Sequence, residues 1–562
     1  MEVAPDDVLV PDTCNVYALR SGREAIVVDF GSGAVLDRLG ELGIDRVTDV
    51  LVTHHHRDQV QGLGRAVEHG ARIWVPPVER ELIAEVDRHW LHRRLADDYD
   101  LRQDRFSLLE QVPIAGVVPE YRTQRFGGFD VTTLPPPGHT IGSVTYLVGG
   151  LAFVGDLLSG DGELHSLAAT KWTYSGWAGL GATFLSCGTV ARAEPELLLP
   201  SHGEPIRDPA GGLARTRARV QELIDLRIDE PFDLARWENE PWVEVTPHLL
   251  RNRTSFATSY ALLSDDGAAL LIDWGFDQAT GVDLPNDRAG KRPLVASLER
   301  LGHRVETVVV THYHDDHVGG VNLVRDVHGA EVWTPDSVAD VLEQPERLDL
   351  PCLWFDPIPV DRRLPLGEPV RWHEHELTLH PLPGHTLYAC AVEVEVDGRR
   401  MLATGDQQTA RGGLNYQYRN RFRIDDFVES AELYRRLRPE LLLTGHWGVV
   451  ELTDELLDKL TRDAARLAEL HRELVPQGEV DVRIAPYRAT LRAGEELELE
   501  VLAPAEASVE LVVPEGWEVA RVDGTRFRVR AGAPAVAARI GADVTLGGRR
   551  LGQLAEAVLE VR

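Results

Sequence analysis

Alternating apolar and polar positions divide the chain into two long segments of mixed strands and helices and one shorter segment of strands alone. The first long segment begins with two apolar runs that predict a hairpin, followed by an amphipathic helix over Ala34–Leu42 and a strand run over Val47–Thr53. The second repeats this order, with a helix over Leu294–Leu301 and a strand run over Thr307–Thr311. A helix over Asp454–Leu474 closes it, so both segments predict a layered α/β sandwich.

From about Gln477 the pattern changes to short alternating strands separated by Gly, Pro and Asp. This segment contains no histidine and no cluster of convergent acids. It resembles the Ig-like appendages of bacterial enzymes, which implies a spacer or a dimer contact rather than a reaction site. We expect a small all-β sandwich with strands over Glu496–Leu502, Ser508–Val513, Arg526–Val529 and Ala557–Val561.

The two long segments are copies of each other, because five short motifs recur in the same order. Offsets between equivalent residues vary from 244 to 258, which fits a duplication followed by loop insertions such as Gly281–Arg292. The boundary falls near Pro231–Pro241, so we expect a first copy over 1–238, a second copy over 239–475 and the β domain over 476–562. The paired motifs are Val27–Gly31 and Leu271–Gly275, Thr53–Gln59 and Thr311–His317, Pro137–Thr140 and Pro383–Thr386, Gly155–Asp156 and Gly405–Asp406, and Ser201–Gly203 and Gly445–Trp447.

The composition is that of an ordinary globular protein. The 562 residues fit about three domains, and 43% hydrophobic with 27% charged residues excludes disordered, fibrous and membrane-spanning chains. A formal charge of -31 disfavours nucleic-acid binding, because such a surface repels phosphate backbones. We therefore expect a small-molecule substrate and neither a nucleic-acid nor a membrane partner, and leave a homo-oligomer open.

The cysteines and the N-terminus bear on the compartment. The N-terminal residues are acidic and no apolar stretch of a signal peptide follows them. The cysteines are widely scattered, without a CxxC pair or a disulfide-dense spacing. We expect a cytoplasmic protein with four buried thiols, at Cys14, Cys187, Cys352 and Cys390.

The second copy carries an ordered set of metal-ligating residue types. In the motif that begins at His312 and ends at His317, two imidazoles two residues apart converge on one cation, while the following Asp and His face a second position. Nitrogen and carboxylate ligands without thiolate suit Zn²⁺, and also Mn²⁺ or Fe. A single loop histidine is an ordinary polar residue, but an ordered set indicates a metal site. The complete set is His312, His314, Asp316, His317, His385, Asp406 and His446.

These motifs resemble those of the metallo-β-lactamase superfamily, and the resemblance covers roughly residues 1–475. It implies two tandem αββα sandwiches, each with a one- or two-metal site. It further implies that Asp273, and Asp29 in the first copy, orient a ligand histidine. In the second copy it places metal one on His312, His314 and His385, metal two on Asp316, His317 and His446, and makes Asp406 the bridge between them.

The first copy departs from the pattern at one position, where Gln59 stands in place of His317. Metal one is expected to survive there on His54, His56 and His139. Metal two would rest on Asp58, Asp156 and His202, with Gln59 as at best a weak neutral oxygen ligand. The copy is either a mononuclear catalytic site or a degenerate structural one. We interpret His55 as a loop side chain turned away from the metal. The conserved set is His54, His56, Asp58, His139, Asp156 and His202.

The expected reaction is hydrolysis by a metal-activated hydroxide at an acyl or phosphoryl centre, with Asp316 or solvent protonating the leaving group. An ester, thioester or lactone is the expected substrate class. Two alternatives are a mononuclear iron oxygenase of the persulfide dioxygenase kind and a non-catalytic metal-binding scaffold. The loop after Asp406 either holds an anionic group of the substrate or is a solvated loop, through Tyr416, Tyr418, Arg419 and Arg421.

Overall fold

The computed structural model describes residues 2–4, 7–92, 106–170, 178–227, 233–277, 297–354, 356–417, 419–475 and 480–562. Tyr418, the inserted stretch 281–292 and the start of the helix expected at Leu294 lie outside these residues. The chain divides into two compact units, the first mainly up to Pro241 and the second mainly from Trp242 onward. In the described part of the chain, no helix combines the length and the apolar character needed to cross a bilayer.

The first copy contains two sheets whose inner faces share one core. One sheet has seven strands in sequence order, over Glu2–Ala4, Asp7–Pro11, Asn15–Ser21, Glu24–Val28, Arg46–Leu51, Arg72–Val75 and Gly116–Val117. The other has five strands, over Thr123–Phe126, Phe129–Leu134, Thr145–Val148, Leu151–Gly155 and Leu197–Pro200. Described helices cover Ala34–Asp37, Leu39–Leu42, Arg57–Val60, Leu63–Glu68, Glu81–Ala84, Val86–His92, Ala178–Arg192, Pro209–Asp225 and Leu234–Asn239, with a 3₁₀ turn over Pro77–Glu79.

Strand alternation in the first copy produces four layers. Along Asn15–Ser21, Val16 and Ala18 join a core under the helices, while Tyr17 and Leu19 join the core between the two sheets. Both faces of the strand are therefore buried, as expected of a sheet covered on each side. The result is an αββα sandwich.

The second copy repeats this architecture. Its first sheet has seven strands, over Trp242–Thr246, Leu249–Asn252, Tyr260–Leu263, Ala268–Ile272, Arg304–Val309, Glu331–Thr334 and Arg362–Arg363. Its second sheet has six, over Pro369–Trp372, His375–Pro381, Cys390–Val396, Arg399–Gly405, Leu441–Thr444 and Gly448–Glu451. Described helices cover Asp315–Val318, Val321–His328, Asp336–Glu343, Asp426–Leu437 and Asp454–Leu474, with a 3₁₀ turn over Leu298–Arg300.

The C-terminal segment is a sandwich of two four-stranded sheets around one apolar core. Four of its strands were expected from the sequence, and the last of these extends over Arg549–Val561. The first sheet contains Arg483–Ala485, Glu496–Leu502, Arg526–Arg530 and Glu518–Arg521; the second contains Arg488–Leu491, Arg549–Val561, Ala535–Leu546 and Ser508–Val512.

Two expectations need correction. The helix expected over Ala34–Leu42 is interrupted at Arg38, whose φ of -115° ends one helical turn before the next begins. Cys352 is exposed rather than buried, because it lies in an irregular loop, whereas Cys14, Cys187 and Cys390 are buried as expected.

Candidate metal centre

The ends of parallel strands gather the candidate ligands of the second copy at one edge. Ala268–Ile272 runs parallel to Arg304–Val309, and the loops after these strands carry Asp273 and the histidine motif. In the second sheet, Arg399–Gly405 runs parallel to Leu441–Thr444, and the following residues include Asp406 and His446. The carboxyl ends of parallel strands meet at one edge of a sheet, so residues more than 170 positions apart converge.

Asp273 fixes the base of the site. Its φ of 56° lies in the left-handed region, which a non-glycine residue rarely adopts without a compensating constraint. Its carboxylate accepts hydrogen bonds from the Thr311 backbone NH and hydroxyl, each at 2.7 Å, and lies 2.7 Å from His317 Nδ1. That last contact sets the orientation of the His317 ring, the role expected of Asp273.

Three imidazoles and a carboxylate form the first cluster. His312, His314, His385 and Asp406 each offer a ligand atom within 4.8 Å of the others, and all four are buried. His314 Nδ1 and His385 Nε2 are 3.1 Å apart. Ligands about 2.0–2.1 Å from a tetrahedral ion would be roughly 3.4 Å apart, so this spacing fits a shared metal. His312 Nε2 is buried with no hydrogen-bond partner among the described residues, as expected of a metal ligand.

The second cluster contains Asp316, His317 and His446. His446 Nε2 lies 3.1 Å from Asp316 Oδ2 and 3.1 Å from Asp406 Oδ2, while His317 Nε2 lies 3.2 Å from Asp406 Oδ1. One imidazole nitrogen therefore faces two carboxylates, the arrangement that a cation between them would favour. Asp406 contributes to both clusters, as a bridging carboxylate must.

Two glycines make room for these ligands. A Cβ at Gly405 would lie 2.8 Å from Thr311 Oγ1 and 3.1 Å from His312 Nδ1, and the φ of Gly405 is 49°. A Cβ at Gly445 would lie 2.0 Å from Asp406 Oδ1 and 2.7 Å from His317 Cε1. Both positions therefore require glycine while the ligand rings occupy the centre.

Residues that the sequence did not indicate hold the His385 loop. The Asn415 carbonyl lies 2.9 Å from His385 Nδ1, and the Asn415 amide donates to the Asp406 carbonyl at 2.8 Å. Asn420 donates to the His385 carbonyl at 2.7 Å and accepts from the Tyr313 hydroxyl at 2.9 Å. The only sequence signal was their nearness to Asp406, since asparagine in a loop is common.

Burial and neighbouring charges divide the histidines of the second copy into two groups. Burial, together with the adjacent imidazoles, lowers the pKa of His312 well below its usual value and that of His314 to about 3. Burial also acts on His446, but hydrogen bonds to Asp316 and Asp406 raise its pKa to about 9. The first group is therefore neutral and ready to bind a metal at neutral pH.

The first copy builds an equivalent first cluster from His54, His56 and His139. His139 Nε2 lies 2.9 Å from His56 Nδ1, and His54 Nε2 is buried without a hydrogen-bond partner among the described residues. The Asp156 carboxylate lies 3.5 Å from both His54 and His139. These residues fit one metal.

The second position of the first copy is organised differently. His202 Nδ1 lies 2.8 Å from Asp156 and its Nε2 lies 3.1 Å from Asp58, so the ring spans the two carboxylates with both nitrogens. Gln59 donates to Asp58 in either amide orientation, at 3.3 Å to Oδ2 or 2.8 Å to Oδ1. Asp58 is also 41% exposed, against 16% for Asp316. Hydrogen bonds within the protein thus engage both carboxylates here, and the ligand atoms that remain within 4.8 Å of one another belong to Asp156, His165 and His202 rather than to the residues equivalent to the second cluster.

Two further residues near the second metal position of the first copy, a serine and a histidine, differ from their counterparts in the second copy. Ser201, which occupies the position of Gly445, donates to Asp29 at 2.5 Å. Asp29, with a φ of 53°, also accepts from Thr53, as Asp273 does from Thr311. His165, at the position of Asn415, stacks on His202 with ring centroids 4.0 Å apart. Neither residue was among the candidate site residues predicted from the sequence, although Ser201 lies in one of the paired motifs.

The loop after Asp406 does not present the expected side chains together. The Tyr416 ring packs against Phe422, Phe427 and His471. Arg421 pairs with Asp481 of the β sandwich at 2.6 Å and donates to the Tyr388 hydroxyl at 3.0 Å. Arg419 is exposed, and Tyr418 lies outside the described residues. Neither Tyr416 nor Arg421 is available to hold a substrate anion in this arrangement.

His55 belongs to none of the candidate metal clusters of the described residues, in agreement with its interpretation as a loop side chain turned away from the metal. It is buried, and its Nδ1 lies 3.1 Å from the buried Glu79 carboxylate. Glu79 also accepts from the His55 backbone NH and from the Thr140 hydroxyl. Because His55 and Thr140 adjoin His54, His56 and His139, this carboxylate ties together the two loops that carry the first cluster.

Comparison with known proteins gives one family for both copies. The model of the metallo-beta-lactamase superfamily matches residues 9–202 and 253–446, and each match ends on the terminal histidine of its copy. Hydroxyacylglutathione hydrolases are similar to part of the chain. The one from Cereibacter sphaeroides is 32% identical over 150 residues, covering 27% of this chain and 51% of that protein. The one from Albidiferax ferrireducens is 30% identical over 163 residues, covering 28% and 51%. The chain thus spans about half the length of the curated relatives it matches.

Solved structures of metallo-beta-lactamase proteins also match part of the chain, at lower sequence identity. A subclass B3 metallo-beta-lactamase of Bradyrhizobium japonicum is 20% identical with a TM-score of 0.31, covering 44% of this chain and 98% of that chain. A metallo-beta-lactamase family protein from Thermus thermophilus is 20% identical with a TM-score of 0.32, covering 40% and 82%.

Proposed function

The chain belongs to the metallo-beta-lactamase superfamily, and from that premise we propose that its second copy is a metal-dependent hydrolase of thioesters or related acyl bonds. One observation carries the proposal. Seven side chains from distant parts of the second copy form two adjoining clusters, and Asp406 of the first contacts His317 and His446 of the second. The buried His312 Nε2 has no hydrogen-bond partner among the described residues. Such a pair of clusters fits two metal ions and little else.

The ligand set favours zinc. His312, His314 and His385 would hold one ion, Asp316, His317 and His446 the other, and Asp406 would bridge them. Imidazole and carboxylate ligands suit Zn²⁺, with Mn²⁺ and Fe²⁺ as the competing ions. When bound, divalent ions of this kind supply a hydroxide nucleophile near neutral pH and stabilise a developing oxyanion.

The protein groups position the reaction. Asp273 holds the His317 ring, and Asn415 and Asn420 hold His385, so the ligands are fixed before substrate arrives. The proposed proton source for the leaving group is solvent or Asp316, whose carboxylate is partly exposed and lies beside His446. Burial of His312, His314, His317, His385 and Asp406 keeps bulk water away from most of the site.

An acyl bond is the proposed target for two reasons. The hydroxyacylglutathione hydrolases, which match part of the chain, are named for the hydrolysis of an acylated thiol. The formal charge of -31 also disfavours polyanionic substrates such as nucleic acids. We further propose that the reaction takes place in the cytoplasm, because the four cysteines are scattered without a disulfide-dense spacing.

The test is a substrate panel on protein of known metal content. Metal-loaded wild-type protein and the Asp406→Asn variant would be assayed with activated thioesters, esters, lactones and phosphodiesters. We expect turnover of thioesters by the wild type, with about two ions bound by the second copy, and loss of turnover in the variant. Oxygen consumption by an iron-loaded protein, or turnover of none of the panel, would contradict the proposal.

A further inference from the structure

Two aromatic side chains lie beside His446 of the second copy, and a third packs against one of them. The Phe256 ring lies 6.0 Å from the His446 ring and the Trp447 ring lies 5.7 Å from it, both edge to face. Phe276 packs under Phe256 at 5.3 Å. Phe256 is 39% exposed and Trp447 36% exposed, although large apolar side chains normally avoid water. We call Phe256, Phe276 and Trp447 the aromatic rim.

The first copy lacks this rim. The backbone NH of Asn15 donates to Ser201, as that of Thr258 does to Gly445, so Phe256 corresponds to Thr13. The motif offsets place Ser32 opposite Phe276 and Gly203 opposite Trp447. Thr13 and Ser32 join a polar network around Asp12, in which the Ser32 hydroxyl donates to Asp12 at 2.7 Å. Two equivalent folds thus have a polar edge in one copy and an aromatic edge in the other.

The loop that presents Phe256 is fixed. The Asn252 side-chain oxygen accepts from the backbone NH groups of Thr254 and Ser255, at 2.7 and 2.9 Å. The Phe256 backbone NH donates to the Phe276 carbonyl at 3.0 Å. The exposed ring therefore sits on a braced loop, and a ligand that covers it loses little conformational entropy in the protein.

We propose that the aromatic rim binds an apolar acyl group of the substrate and makes the second copy selective for acyl thioesters with large apolar chains. This inference rests on the proposed function. The rim lies beside His446, and therefore beside the bond to be cleaved. We assign it to the acyl side because the leaving thiol of a carrier thioester is polar or charged and gains nothing from an aromatic surface. Phe256 and Trp447 are the specificity-determining residues.

The experiment uses one thiol carrying acetyl, butyryl, hexanoyl and phenylacetyl groups, with metal-loaded full-length protein. Wild-type kcat/KM is expected to rise with apolar size. Phe256→Thr and Trp447→Ala are each expected to lower kcat/KM for the phenylacetyl thioester by about tenfold while changing the acetyl value little. Leu366→Ala, a change at an exposed apolar residue of the second copy that is not part of the aromatic rim, is the control and should alter neither.

A binding measurement separates this inference from the proposed function. Calorimetry with acetate, hexanoate and phenylacetate should show affinity rising with apolar size in the wild type and flat in Phe256→Thr, at unchanged metal content. If no thioester is hydrolysed but this binding trend holds, the proposed function fails and the rim assignment stands. If thioesters are hydrolysed without dependence on chain size, or if only variation of the thiol matters, the acyl assignment is overturned.

Discussion

The two copies share their fold and six of seven candidate ligand positions, yet they differ in how the second metal position is completed. The second copy combines His317 with Gly445, and the first combines Gln59 with Ser201. A Cβ at position 445 would collide with His317 and Asp406, so the second copy has glycine there. In the first copy, Ser201 instead donates to Asp29, the counterpart of the carboxylate that contacts His317.

The two copies therefore differ both in the ligand at position 59 or 317 and in the residue that contacts the neighbouring aspartate. Loss of the imidazole at position 59 would leave a buried carboxylate at Asp29 short of a donor, which is costly in a low-dielectric interior. The Ser201 hydroxyl supplies that donor. Gln59 and His202 meanwhile satisfy Asp58 and Asp156 without a metal. A single reverse substitution therefore cannot restore the site.

The largest expected effect comes from the bridging carboxylate. Asp406→Asn keeps the side-chain volume but removes the charge that both clusters share, so we expect kcat/KM on the best thioester to fall roughly a thousandfold or more. The matched change Asp156→Asn should leave turnover within about twofold and lower the metal content of the first copy instead. Equal losses from the two variants would show that the first copy is catalytic.

Converting the second copy into the first should remove one metal. In His317→Gln with Gly445→Ser, the Asp406 carboxylate must shift away from the new Cβ, and the serine can replace the lost donor to Asp273. We expect a folded protein whose metal content falls from about three ions per chain to about two. Turnover should fall by roughly a hundredfold or more, because a direct ligand is lost. Elemental analysis and circular dichroism check the metal and the fold. Retention of all ions would contradict the account of Gly445.

The reverse conversion requires two changes. Gln59→His alone should add no metal, because Ser201 holds the Asp29 oxygen that the new ring needs. Gln59→His with Ser201→Gly should raise the content by about one ion per chain. A gain in the single variant equal to that in the double variant would show that Ser201 does not oppose the ring.

Breaking a contact between the second copy and the β sandwich should have a smaller effect, on stability rather than on turnover. Asp481 pairs with Arg421, which in turn donates to Tyr388, three residues after His385. Asp481→Ala should lower the unfolding free energy of this unit by about 1 kcal/mol, because both groups are partly exposed. Arg526→Ala, which breaks an exposed pair with Asp523 inside the sandwich, is the matched control and should have less effect. Chemical denaturation of both variants measures the difference.

The smallest expected effect is on how the stability of the second copy depends on pH, through two histidines in turns between strands. In the second copy, hydrogen bonding to Asp397 raises the pKa of His248, and hydrogen bonding to Glu306 raises that of His373. Their stabilisation is complete below about pH 6.5 and is lost as pH rises through the raised values. Each pair is exposed, so the loss should be about 0.5 kcal/mol or less.

The first copy has the glycine pairs Gly127-Gly128 and Gly149-Gly150 where the second copy has His373-Glu374 and Asp397-Gly398. The unfolding free energy of the second copy should therefore fall between pH 6 and 9, and His248→Gln should make this fall smaller. An unchanged trend in that variant would exclude this histidine as the source.

The sequence by itself determined the duplication, the αββα architecture and the candidate ligands. Those ligands occupy short loops after apolar strands, at spacings that only a few folds use, so residue type and order were sufficient. The closing helix Asp454–Leu474 and the strand Glu496–Leu502 were likewise predicted with their observed bounds, because their periodicity is continuous.

Tertiary structure decided what surrounds the ligands. Ser201 contacts Asp29 across 172 positions, Tyr313 contacts Asn420 across 107, and Phe256 contacts His446 across 190. No local pattern encodes such contacts, because they depend on which strand ends lie side by side. Arg421 illustrates the same limit, since its sequence position suggested a substrate anion while packing gave it Asp481. Local sequence motifs thus specify the candidate metal ligands, whereas tertiary contacts decide in which copy the full ligand set is brought together.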